Sequence, residues 1–454
     1  VKKLLLALLL SVCAVALSQN VVISGKTNRP GSLVRVFVYD DLLVRGSSKR
    51  AETHADSEGR FSLSFPLKGI AEAVIAVDLE RVDMILREKS SYNIEIVIPD
   101  DDKTISYFDR TKPELRIMSA DDGNLQENAH IADNIINAFA LDNFSRMVRQ
   151  KRYDLLDTLD AYIDEALGEY DSEWLANQIR YRKASLVQVV YADGGKRIIR
   201  DYYQDNDVLY DCPAYFDLFA EVFKNYFHSR QFNITDLRMA YYDSFDSFVS
   251  YLKTDKTISS DARLGELVII WNLLQFYYEL PADRELIMGY FAEMKSKTAF
   301  AEHKIIIDDV VRQVTRLAPD TPAPDFALAN VNGEKVTLAD YKDYVVVLQF
   351  VGDLSPLMMN DFYSLREMAG LWGSKVKVLT IVPHEAKDDY VRMFRKEGMT
   401  WDILDRDDNI LILEDYEVPT FPAYVVVKKD GNIGIATAPS PDQGLDKHVA
   451  RFLK

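Results

Sequence analysis

The chain of 454 residues has 48% hydrophobic and 28% charged residues and a formal net charge of −17. That length and apolar content suit about two or three globular cores. So acidic a surface repels nucleic acid and anionic lipid, and neither is expected as a partner.

At the N-terminus, Lys2-Lys3 precede an apolar run from Leu4 to Leu17, and Ala16-Leu17-Ser18 places small residues at −3 and −1 before Gln19. Residues 1–18 therefore read as a secretory signal, too short for a comfortable membrane span. A periplasmic or secreted protein with no transmembrane span after cleavage is expected. Leu10-Ser11-Val12-Cys13 is a loose lipobox. Val12 fits it poorly, so cleavage after Ser18 is preferred to a lipid anchor at Cys13. That leaves Cys212 as the one remaining thiol and no intramolecular disulfide. The six histidines are dispersed, which suggests no zinc site, and no metal or other cofactor is expected.

Residues 19–118 read as β. Val21–Ser24, Leu33–Tyr39, Phe61–Phe65, Ala73–Val77 and Tyr92–Ile98 are short, β-branched and often alternating, with turn signals at Asn28–Gly31 and Asp56–Gly59. A small β-sandwich is predicted. The acidic turn Pro99–Lys103 lacks the spacing and glycine of a calcium loop and reads as solvated. Residues 119–318 change period. Ile131, Ile135, Ile136 and Phe139 form one apolar series. Tyr215, Phe219, Val222, Phe223 and Phe227 form another. Roughly eight amphipathic helices result, broken at Asp193-Gly-Gly195, Cys212-Pro213 and Leu280-Pro281. Their aromatic stripes read as packed core.

Residues 319–454 open with a proline-rich joint, Pro319–Phe326. Strands are predicted at Lys335–Leu338, Tyr344–Phe350, Val376–Val382, Phe421–Val427 and Ile433–Ala436. Helices are predicted at Ser355–Trp372, Glu385–Glu397 and Gln443–Leu453. This order implies a mixed sheet covered on both faces.

It is also the thioredoxin order. Ala323-Pro-Asp-Phe326 followed by Asn332–Leu338 resembles the opening of TlpA-like and alkyl-hydroperoxide-reductase-type redoxins. Tyr416–Pro422 followed by Val425–Ile433 resembles their closing segment. The turn Ala55–Leu63 resembles a hairpin of N-terminal β-sandwich modules in secreted Bacteroidetes-type proteins. The full arrangement is similar to secreted thioredoxin-like proteins of that group. The resemblance implies a multidomain chain: an N-terminal β-sandwich, a central α-helical domain and a C-terminal α/β thioredoxin-like fold. It implies thiol-disulfide oxidoreductase chemistry, and it makes Pro422 the family's cis-proline.

One departure cuts across that implication. Where the family carries Cys-x-x-Cys, this chain has Ser355-Pro356-Leu357-Met358. Thiol exchange needs a thiolate, and a thioether forms no disulfide. Ser355 followed by Pro356 suits a helix start. Activating the hydroxyl would take a base, and the nearest histidine in sequence is His384. No catalytic residue is therefore assigned. What the resemblance leaves is a peptide groove at Leu354, Leu357, Met358 and Phe421, unless these residues pack internally. The expected partner is a protein or peptide of the cell envelope. The alternative is an enzyme working through Cys212 or a partner's thiol. Cys212 itself, at Asp211-Cys212-Pro213, reads as a buried structural residue.

Overall fold

The computed structural model describes residues 20–99, 112–168, 170, 172–191, 195–352, 354–406 and 411–453. The expected signal, residues 1–18 with Cys13, and Asp100–Lys103 lie outside the described residues. The chain forms two compact units. The first takes in residues up to Val77, Arg81–Ile98 and Pro113–Gln313; the second takes in Val314 onward with Asp78–Glu80.

Among the described residues the first unit begins with eight strands: β1 Asn20–Thr27, β2 Leu33–Tyr39, β3 Ser47–His54, β4 Arg60–Pro66, β5 Ile70–Val77, β6 Glu80–Arg87, β7 Ser91–Val97 and β8 Glu114–Ala120. They make two four-stranded sheets, ordered β4-β1-β7-β8 and β3-β2-β5-β6. β1 runs antiparallel to β4 (Ile23 opposite Leu63) and parallel to β7 (Ile23 opposite Tyr92). Strict alternation along β4 sends Phe61, Leu63 and Phe65 inward. There they join Val21, Ile23, Val36, Ile75 and Leu86 in one cluster fed by both sheets. Three strands escape the sequence pattern: β3, β6 and β8. Each lies at a sheet edge. An edge strand has one neighbour and tolerates charge, as the Ser-Ser-Lys-Arg-Ala-Glu-Thr-His run of β3 does.

Helices follow: α1 Leu125–Val148, α2 Leu155–Leu167, α3 Glu173–Tyr191, α4 Pro213–Val222, α5 Ile234–Asp243, α6 Phe245–Leu252, α7 Ala262–Glu279, α8 Arg284–Lys297 and α9 Ala301–Thr315. Pro213 opens α4 at its first turn, and Gly195 takes φ 82° at the break after α3. The aromatic stripes are core. Tyr203 packs edge-on against Tyr215, Phe219 and Phe223, and its hydroxyl donates to the Tyr215 carbonyl at 2.8 Å. Among the described residues, no helix is long and apolar enough to cross a membrane.

The second unit has a hairpin, β9 Ala327–Ala329 with β10 Lys335–Thr337, and a five-stranded sheet ordered β13-β12-β11-β14-β15. The sheet strands are β11 Val345–Phe350, β12 Val376–Val382, β13 Asp402–Asp405, β14 Ala423–Val427 and β15 Ile433–Ala438. β11, β12 and β13 are parallel, β14 runs antiparallel to β11, and β15 runs antiparallel to β14. Every residue of β11 is buried. Val346, Leu348 and Phe350 face one apolar cluster, and Val345 and Val347 face another. That is why its sequence reads as an unbroken apolar run. Both sheet edges are occupied. Asn330 bridges to Leu404 beside β13. Beside β15, Asp320 N donates to Ile433 O (2.8 Å) and Ile433 N to Thr321 O (2.7 Å).

Candidate functional site

The junction between β11 and the helix Pro356–Trp372 (α10) sits at the carboxyl end of the parallel strands, where open α/β sheets gather ligands. Ser355 is the N-cap of α10. Its backbone is extended, and its Oγ accepts from the Met358 amide at 3.4 Å, with Pro356 in the first turn. Its place is thus explained by helix capping. Met358 turns inward and is 8% exposed. Its Sδ accepts from the Tyr390 hydroxyl at 3.1 Å, and the same hydroxyl reaches the Gly352 carbonyl at 2.8 Å. A thioether is therefore packed at position 358 among Val351, Phe362, Tyr390 and Phe394.

Across the junction the Phe421–Pro422 bond is cis. Phe421 is half-buried, and a Cβ at Gly352 would lie 3.3 Å from its ring. Glycine at 352 thus lets the ring approach the main chain closely. The Arg406 guanidinium sits 5.7 Å from the ring centroid. Leu354 is half-buried and packs on the cluster that holds Met358. Of the expected groove, then, Leu354 and Phe421 keep exposed surface, while Met358 is core. The Leu357 side chain lies outside the description.

Three features escaped sequence reasoning. The first is a buried polar chain beneath the junction. Trp401 Nε1 donates to Thr380 Oγ1 (2.9 Å), which donates to Gln349 Oε1 (2.8 Å). Gln349 Nε2 then donates to the Tyr424 hydroxyl (3.2 Å), which donates to Asp361 (3.0 Å). Burial raises the Asp361 carboxyl, and the Tyr424 bond partly offsets this. The one polar residue inside Val345–Phe350 was its available signal. The second is the Tyr390 contact just described. The third is an ion cluster on the same strand ends. Asp405 Oδ2 holds His384 Nδ1 at 2.6 Å and Lys387 Nζ at 3.2 Å, and the His384 side chain is 67% exposed. The histidine is thereby fixed as a partner of Asp405.

Among the described residues the one cysteine lies in the first unit. Cys212 is 1% exposed and its Sγ is 3.5 Å from Gln178 Oε1. Burial pushes the thiol up to about 12, so it stays protonated at neutral pH.

Residues 319–435 match the AhpC/TSA family. The AhpC/TSA match falls within the second unit and leaves the sheets and helices up to Gln313 outside it. Over 143 residues the chain is 27% identical to the thiol-disulfide oxidoreductase ResA of Geobacillus kaustophilus, covering 30% of this chain and 78% of that protein. ResA of Geobacillus thermodenitrificans is similar to the same extent, at 27% over 143 residues. Among solved structures, the thioredoxin domain of a thiol-disulfide oxidoreductase from Bacteroides vulgatus is 22% identical. That match covers 30% of this chain and 99% of the other, with a TM-score of 0.27. Ser355 and Met358 both lie within the matched residues 319–435.

Proposed function

We propose that the protein is a redox-inactive thioredoxin-like protein of the cell envelope that binds a protein or peptide partner. The observation that carries this reading is Met358. A thioether turned into the core and hydrogen-bonded by Tyr390 cannot resolve a mixed disulfide. Ser355 in a capping role and a protonated, buried Cys212 support it further. We read the two N-terminal sheets as a β-sandwich, and residues 1–18 as a signal removed on export. The partner surface is the half-exposed face of Phe421 and Leu354. A second reading is favoured by the names of the ResA relatives: an oxidoreductase that works with a thiol supplied by its partner.

The test is insulin disulfide reduction and peroxide turnover by the wild type and by Cys212→Ser. Neither protein should turn over. Activity lost in the variant would overturn the first reading. Activity that appears only with an added dithiol partner, and equally in both proteins, would favour the second. Capture of envelope proteins by wild type and by Phe421→Asp then tests the surface, and an unchanged set of partners would sink it.

A further inference from the structure

We propose that Asp41 and Asp309 share one proton and together form a latch between the β2–β3 loop and helix α9, which weakens as the solution turns alkaline. Asp41 lies in the loop and is 5% exposed; Asp309 lies on α9 and is 4% exposed. The loop is wound around the Asp41 carboxylate. Val44 N donates to its Oδ1 and Gly46 N to its Oδ2, each at 2.8 Å. Gly46 O in turn accepts from Asp40 N at 2.7 Å. Gly46 is also where α9 arrives. A Cβ there would stand 2.1 Å from Asp309 Oδ2, so residue 46 must be glycine for the carboxyl to seat.

Asp309 Oδ1 is paired with the largely exposed Arg312 at 2.6 Å. Oδ2 is buried with no hydrogen-bond partner. Both buried carboxyls thus meet at Gly46, and an orphaned carboxylate oxygen beside a second buried carboxylate is costly. One proton between the two removes both the orphan and the repulsion. The other charges around the loop are already engaged. Asp40 pairs with Arg50 at 2.5 Å, and Arg45 pairs with Glu72 and Asp217, each at 3.1 Å. A bound cation fits less well, because the backbone N–H dipoles of Val44 and Gly46 already point their positive ends at the two Asp41 oxygens.

Burial, and then the Asp309 carboxyl, raise Asp41 from its ordinary 3.8 to about 7. Across that interval the folded state holds a proton that the unfolded chain has released. The stabilisation is complete below the ordinary carboxylate range and is lost as pH rises through about 7.

The full chain should therefore show an unfolding constant for its first unit that rises with pH, by up to about tenfold per unit between pH 5 and pH 7 relative to Asp309→Asn. That variant keeps an N–H donor toward Asp41 and removes the second carboxyl, so that Asp41 alone is left to titrate and the pH dependence is shallower. Hydrogen exchange on the wild type gives a second readout that needs no variant. After correction for intrinsic rates, the Val44 and Gly46 amides should lose protection between pH 6 and pH 8. Parallel pH curves for wild type and Asp309→Asn, or protection that does not change, would overturn the latch. So would stabilisation of the wild type by millimolar calcium at pH 8 that Asp309→Asn lacks, because a cation would then hold the pair.

Discussion

At the scale of single residues, the junction works as a cap and a plug. Ser355→Ala should cost about 0.5–1 kcal/mol of second-unit stability, measured by urea unfolding, because the amide it satisfies lies at 3.4 Å. Ser355→Cys is more informative. It puts a thiol at a helix N-terminus, so its thiolate should attack oxidised glutathione to form a mixed disulfide and release one reduced glutathione. Insulin reduction should not follow, because Met358 offers no second thiol; mass spectrometry and the turnover assay check the two halves. Cys212 should resist iodoacetamide in the native protein from pH 7 to pH 9 and react on denaturation, since burial pushes its thiol up to about 12. The Ser355 cap was legible because Ser-Pro before an apolar period is a local signal. Whether Met358 lines a groove or packs internally stayed open in the sequence, because its inward turn depends on Tyr390, a residue 32 positions away on another helix.

At the scale of elements, the chain from Trp401 to Asp361 ties β12, β11, β14 and α10 together through side chains in an otherwise apolar core. Gln349→Leu takes the acceptor from the Thr380 hydroxyl and a donor from the Tyr424 hydroxyl and should cost about 2–3 kcal/mol. It should lower the urea midpoint of the second unit and leave the first unchanged. Elements with a strong period were readable from the sequence: β2, β4, β7, β11 and β12 all lie where alternation or continuous apolarity places them. The edge strands β3, β6 and β8 were not, and neither was β13, whose Asp-Ile-Leu-Asp run is too short to show a period. Pairing with a neighbour makes these segments strands, and that partner is absent from any local window.

At the scale of the whole molecule, two units with separate cores should unfold in two calorimetric transitions. Gln349→Leu should move one transition, and raising the pH should move the other. The proline joint that opens the second unit bears on how the chain meets proteases. Composition marks Pro319–Phe326 as a tether. In the fold it is a strap: Ala323 N donates to Gly431 O at 3.0 Å, the Tyr416 hydroxyl donates to Pro324 O at 2.5 Å, and Phe326 is core. A cleavage site must be peeled into an extended, solvated strand before it can be cut, and this one is already spoken for by β15. Broad-specificity proteases should therefore spare the segment most suspected of being a cut site, and release of the second unit as a soluble fragment should wait until its sheet has opened.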